Sequence, residues 1–355
     1  MSLFHIDSNR TLESSFPSNT IINNNNTNNS NNKNNNNTNA SVNDNINLQV
    51  NHNEKDLITN TLKMNLLQKE ISKHELPMNF LIKNAYFLCG NQSGCRHLQK
   101  QLEQHPETAI NFYEQIKDQI YELSLNSFGN YFIQKLFVYL PLCYFFSIFK
   151  TSFSTNFISI CCDPHGTRVI QTFLEKVSKN QDLLNLFNTF FESNINNIIL
   201  NQNATHIIIK YFTLIKYPHN EDLLTFFKRN ILTISTNKHS CCTLQKCIEL
   251  IQNKQQLYEL IETIANVSHL LFNDQYGNYI VQYILEFKIK ELNSIIVEKY
   301  FSNIDTFAFQ KISSNVFEKC LLYSTLTERL KIIRFLCNKD IVHKLLLNTY
   351  GNYGK

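Results

Sequence analysis

Seven pairs of residues, each four places apart, recur along the chain: Cys95/Gln99, Asn130/Gln134, Thr167/Gln171, Thr205/Ile209, Cys241/Gln245, Asn278/Gln282 and Ser314/Glu318. An eighth opens at Asn352. The second member is Gln in most of them, and a planar amide carries a donor and an acceptor side by side, which suits the alternating edge of a nucleobase. Directly after the first member stand Arg96, Tyr131, Arg168, His206, Cys242, Tyr279, Asn315 and Tyr353, several of them flat groups on which a base can stack. Directly after the second member, Lys100, Lys135, Lys210, Lys246 and Lys319 offer cations for a phosphate track. A surface built only for solubility would hold Lys and Glu where these amides stand.

Such groups act together only if a repeated element presents them. The first members lie 35 to 38 residues apart, the period of a helical solenoid. On a helix, positions one and five share a face and position two lies beside them, while positions three and four, such as Phe132/Ile133, Val169/Ile170 and Ile280/Val281, turn inward. The residue before each first member is always small (Gly94, Gly129, Gly166, Ala204, Ser240, Gly277, Ser313, Gly351), which predicts a tight entry turn and close approach of neighbouring helices. Position one itself falls at or near a helix N-terminus, where short polar side chains are best tolerated. Segments between the blocks, such as "TAINFYEQIKDQIYEL", have apolar residues at helical spacing. The expected architecture is all-α, a curved α-solenoid of about eight repeats.

Composition sets the outer bounds. Residues 21–40 contain 13 asparagines in 20, too few apolar side chains to offset the entropy of folding, so residues 1–78 are expected to form a disordered low-complexity tail and residues 79–355 the repeat domain. The ten cysteines include no CxxC pair, and no secretory signal precedes them, which points to reduced thiols and a cytoplasmic protein with no metal centre. The most apolar run, "LFVYLPLCYFFSIF", is short for a membrane span and contains Pro141. Residues 1–78 hold six basic against seven acidic side chains, and residues 79–355 hold 27 against 22, a balance that permits a polyanionic partner without requiring one.

The recurring motif resembles the Pumilio (PUF) family of RNA-binding repeat proteins over residues 79–355, and "GTRVIQ" and "SCCTLQ" are more similar to its fungal branches than to its animal ones. The resemblance implies one base per repeat. It assigns uracil to Asn with Gln, adenine to Cys or Ser with Gln and guanine to Ser with Glu, with the RNA antiparallel to the protein. That reading runs U at Asn352, G at Ser314/Glu318, U at Asn278/Gln282 and A at Cys241/Gln245. An unread base at Thr205/Ile209 follows, then A at Thr167/Gln171, U at Asn130/Gln134 and A at Cys95/Gln99: a UGUA-type core and a looser A/U-rich half. Also implied are a monomer that binds single-stranded mRNA in 3′ untranslated regions, represses translation or promotes decay, and recruits deadenylase machinery, with no cofactor and no catalysis.

Several positions depart from the pattern. Ile209 has no hydrogen-bonding group, Cys242 is not planar, and Gly354 and Lys355 stand where core residues belong, so the eighth repeat is incomplete and a weak contact to the 5′ uracil is expected. Cys95 and Cys241 have no His at a repeating offset to activate them as nucleophiles, and His165, His206 and His239 recur as repeat elements rather than as metal ligands. A protein-interaction solenoid whose RNA code is vestigial is the alternative reading.

Overall fold

Apolar residues at helical spacing produce helices throughout: the computed structural model describes residues 76–349, and among them no strand occurs. The readings made for the asparagine tract, Asn352, Tyr353, Gly354 and Lys355 lie outside the described residues. Seven helices carry the paired residues: α1 (Gln92–Gln104), α2 (Gly129–Tyr139), α3 (Gly166–Val177), α4 (Thr205–Leu214), α5 (Lys238–Leu250), α6 (Gly277–Leu285) and α7 (Ser313–Tyr323). Each packs on the next, giving a solenoid of stacked helices. The intervening helices form the outer layers, for example Ala109–Ile116 and Ile120–Leu125 between α1 and α2. Between α3 and α4 one helix of 20 residues, Gln181–Leu200, takes the place of two.

The entry to six of these seven helices has a local cause. The side chain of Asn126 accepts the backbone N–H groups of Phe128 and Gly129, both at 2.9 Å, and Asp163 accepts those of His165 and Gly166 at 2.8 Å. Asn201, Asn237 and Asp274 do the same for the fourth, fifth and sixth, and Asn91 accepts from Gly94 at 2.8 Å. These caps take up donors that have no partner within the first helical turn. Position one therefore does not serve as the cap: that role lies four residues upstream, and its signal was present in the sequence as a recurring Asn or Asp.

The small residue before position one is explained by packing. No described glycine has a positive φ, so close approach rather than a left-handed backbone is what calls for glycine here. A Cβ on Gly94 would lie 2.5 Å from the Leu88 carbonyl oxygen, and one on Gly166 would lie 2.5 Å from that of Ile160. At these two stations a Cβ would force the seam to open, whereas Ala204, Ser240 and Ser313 fill the same position in seams that accommodate one. Ser313 meets the equivalent carbonyl, Phe307 O, by donating its hydroxyl at 2.7 Å.

The core runs between the helix layers and is rich in phenylalanine. Phe173 of α3 is buried and its ring lies 5.2 to 5.9 Å from those of Phe137, Phe145, Phe149 and Phe153, tying α3 to α2 and to the helices between them. Complete burial of one such ring contributes about 1.5–3 kcal/mol. The helix order is therefore held by shared side chains, which keeps the polar pairs at fixed separations.

Candidate nucleic-acid interface

The seven described stations share a three-level geometry. Position one forms the floor: Cys95, Asn130, Thr167, Thr205, Cys241 and Asn278 are buried, with Asn130 only 2% and Asn278 only 3% exposed, and Ser314 is half-buried. Position five stands half-buried above it in six stations (Gln99, Gln134, Gln171, Ile209, Gln245 and Gln282), and Glu318 is exposed. Position two projects furthest: Arg96, Arg168, His206, Cys242 and Asn315 are exposed, Tyr131 is 58% exposed and Tyr279 is half-buried. Position one was expected on the outward face. It lies instead in the seam between successive helices, where the close contact at the preceding glycine leaves room only for a short side chain.

In four stations the floor orients the ledge. Gln134 donates its Nε2 to Asn130 Oδ1 at 3.0 Å, and Gln282 donates to Asn278 Oδ1 at 2.9 Å. Each asparagine is held in turn by donating to the carbonyl of its own helix cap, Asn130 to Asn126 at 2.8 Å and Asn278 to Asp274 at 2.7 Å. Gln99 donates to Cys95 Sγ at 3.2 Å, and Gln171 donates to the Thr167 carbonyl at 3.2 Å. With one N–H spent inward, each of these amides presents its oxygen and its second N–H outward, one acceptor beside one donor.

Gln245 differs from the other four glutamines. The sequence reading made it a base-edge reader equal to the other glutamines, with Cys241 as its partner. The structure places it half-buried on the same ledge, but among the described residues its amide makes no hydrogen bond, to Cys241 or to any other group. Below it, Cys241 directs its thiol to the Tyr276 carbonyl at 3.4 Å; Cys95 makes the equivalent bond to Phe128 O and still accepts from Gln99, so the thiol bond alone does not account for the difference. Gln245 thus has the position of a reader without the fixed orientation that Gln99, Gln134, Gln171 and Gln282 share.

Two further stations differ in kind. Ile209 is half-buried above Thr205 and offers no polar atom, so the fourth station has only His206, whose pKa is held below the ordinary value first by burial and then by the nearby Arg168 charge. In the seventh, Ser314 turns back to donate to the Lys311 carbonyl at 3.1 Å, leaving the Glu318 carboxylate as a pure acceptor.

The expected cation track is partly engaged within the protein. Lys135 pairs with Glu103, Lys210 with Glu175 at 2.7 Å and Lys319 with Glu286 at 2.8 Å, each reaching a glutamate at position nine of the preceding station. Lys246 lies 3.4 Å from Glu249 of its own helix. Three of the five position-six lysines thus bridge repeats, because position nine of one helix comes alongside position six of the next, while Lys100 stands exposed. Lys176 and Lys179 join Lys135 in an open groove of about 510 Å³ that Gln99, Tyr131, Gln134 and Glu175 also line. Lys176 and Lys179 went unremarked in the sequence because they follow no repeat register.

The thiols are not poised for attack. Burial pushes the Cys95 thiol up and that of Cys241 to about 12, so both are neutral near neutrality. Among the described residues no three His, Cys, Asp or Glu side chains gather to hold a metal ion, and no helix is long and apolar enough to cross a membrane.

A sequence profile described as the Pumilio-family RNA binding repeat matches residues 84–104, 119–141, 156–186, 230–265, 273–298 and 303–337, in register with six of the seven stations. The chain belongs to the Pumilio family. Among its relatives, Pumilio homolog 12 of Arabidopsis thaliana is 31% identical over 274 residues, covering 76% of this chain and 45% of that protein. Suppressor protein MPT5 of Saccharomyces cerevisiae is 35% identical over 248 residues, covering 65% and 28%. The chain thus spans less than half the length of either relative. Among solved structures, a Puf4 RNA-binding domain bound to the HO endonuclease RNA 3′ UTR recognition sequence is 29% identical with a TM-score of 0.68, covering 75% of this chain and 84% of that one. The RNA-binding domain of yeast Puf5p bound to SMX2 RNA is 28% identical with a TM-score of 0.66, covering 80% and 84%. The fourth Pumilio station, with Ile209, falls outside the matched segments.

Proposed function

We propose that this Pumilio-family chain binds single-stranded mRNA in a sequence-specific manner, one base per station, at a UGUA-type element in 3′ untranslated regions. The observation that carries the reading is the oriented amide: a half-buried Gln fixed by a buried position-one asparagine beside a position-two tyrosine, with nearly equal geometry at stations two and six. An amide so fixed offers an acceptor to uracil N3–H and a donor to a neighbouring carbonyl. At station seven, Glu318 offers two acceptors to guanine N1–H and N2–H. At station five, Gln245 takes up its orientation only when a base engages it. Structural neighbours bound to RNA, one of them to a 3′ UTR recognition sequence, support the partner class.

Binding of this kind serves post-transcriptional control in the cytoplasm, through translational repression or mRNA decay with deadenylase machinery brought by the protein. Ile209 favours a second reading, a protein-interaction solenoid in which the code is vestigial. The affinity of the full chain for UGUAAAUA and for the same RNA with G changed to C, at physiological salt, separates them. Much tighter binding of the first supports the code. Equal, weak binding of both leaves the scaffold reading.

A further inference from the structure

Position-one side chains follow an alternation along the array. In stations one, three and five the side chain donates across the seam: Cys95 to Phe128 O at 3.0 Å, Thr167 to Asn203 O at 3.0 Å and Cys241 to Tyr276 O at 3.4 Å. In stations two, four, six and seven it donates back into its own helix entry: Asn130 to Asn126 O, Thr205 to Gln202 O, Asn278 to Asp274 O and Ser314 to Lys311 O, at 2.7 to 3.1 Å.

The carbonyl that receives each cross-seam bond always stands two residues before position one of the next station. It also accepts the backbone N–H of that station's position-two residue: Tyr131 N to Phe128 O at 3.1 Å, His206 N to Asn203 O at 3.3 Å and Tyr279 N to Tyr276 O at 3.1 Å. One oxygen therefore serves both the floor of one station and the stacking residue of the next.

We infer that Cys95, Thr167 and Cys241 are positioning residues for the stations that follow them, so that stations are coupled in pairs, one with two, three with four and five with six, and base discrimination is coupled in the first and third pairs, where both stations carry a glutamine. The inference rests on the RNA-binding proposal above. A short thiol or hydroxyl suits the task because it has a donor and fits the seam. The longer asparagine amides of stations two and six are already committed to their own caps. Ion pairs do not carry the alternation: Lys135 with Glu103 and Lys210 with Glu175 close coupled seams, but Lys319 with Glu286 closes the uncoupled seam after station six. The floor donors alone distinguish the pairs. Station one shows that one floor residue can serve both stations, since Cys95 donates to Phe128 O while accepting from Gln99, whereas Cys241 serves the next station without holding Gln245.

The test uses the full chain with Cys241→Ala, which removes the donor, and Cys241→Ser, which keeps one. Binding is measured to RNAs that carry U or C opposite station six and, separately, A or G opposite station five. The expected result is that C241A lowers the U-over-C ratio at station six about three- to fivefold, the worth of one weak hydrogen bond, and that C241S retains it. Loss confined to station five, or equal weakening of every RNA, overturns the coupling. Cys95→Ala and Cys95→Ser, read out at station two, supply the same comparison if C241A does not fold. A wild-type chain that discriminates at neither station overturns the RNA-binding proposal itself, a result distinct from loss of coupling alone.

Discussion

Gln282 donates to Asn278 at 2.9 Å while Asn278 donates to the carbonyl of Asp274 at 2.7 Å, and Gln134, Asn130 and Asn126 repeat the arrangement. The three residues of each set are four apart, so one helix face carries a relay from cap to reader. A glutamine loses substantial rotamer freedom when it is fixed by a ligand. Here part of that cost is met during folding, and the amide is preorganised. Gln245 has no such relay beneath it and bears the whole cost on binding.

Glu318→Gln is expected to remove the preference for guanine. An amide turns one acceptor into a donor facing a donor, and a good bidentate pair is worth about 1–3 kcal/mol of discrimination. Fluorescence-anisotropy titrations with UGUAAAUA and UCUAAAUA should show the ratio of dissociation constants fall by roughly one to two orders of magnitude. An unchanged ratio would exclude Glu318 as the reader.

Ile209→Gln should give the fourth station a reader. Thr205 lies beneath it and His206 stands beside it, as in the other stations. Titration against four RNAs that differ only at the opposing base should spread from near-equality in the wild type to about fivefold in the variant, the worth of one ordinary hydrogen bond. Four equal affinities in the variant would show that this station does not contact a base.

Gly166→Ala should destabilise the fold. The added methyl meets Ile160 O at 2.5 Å, Ile160 Cγ1 at 2.8 Å and Leu125 Cδ2 at 3.0 Å, so α3 must shift. Overpacking of this kind costs about 1–3 kcal/mol, measurable as a lower urea midpoint at an unchanged slope. Wild-type stability would mean that the seam is looser than its distances indicate.

The Glu175–Lys210 bridge gives a pH dependence of definite sign. The Lys210 hydrogen bond holds the Glu175 carboxyl below the ordinary carboxylate range. Its contribution is complete above the unfolded-state value and is lost as pH falls through the lower folded-state value. Both partners are solvent-accessible, so the pair is worth about 0.2–1 kcal/mol. Thermal unfolding of the wild type and Lys210→Met should differ slightly at pH 6 and converge as pH falls toward 3. A constant offset through that range would assign the effect to packing.

The repeat period, the helix faces and the ledge position of the glutamines were legible in the sequence because each depends on contacts within four residues or on recurrence at a fixed interval. So was the defect at Ile209, which is a matter of side-chain chemistry alone. The caps at Asn126, Asp163 and Asp274 were equally local but lay outside the five-residue window in which the motif was sought. What the tertiary structure alone decided concerns the seams. Cys95/Gln99 and Cys241/Gln245 read identically as sequence, yet only Gln99 is anchored to its cysteine. Burial of Asn130 and Asn278, the commitment of Lys135, Lys210 and Lys319 to glutamates of the preceding repeat, and the reach of Cys95 and Cys241 to carbonyls beyond their own helices all depend on how closely one helix approaches the next. That distance is set by side chains from two repeats meeting across more than thirty residues of chain, and no single helix encodes it.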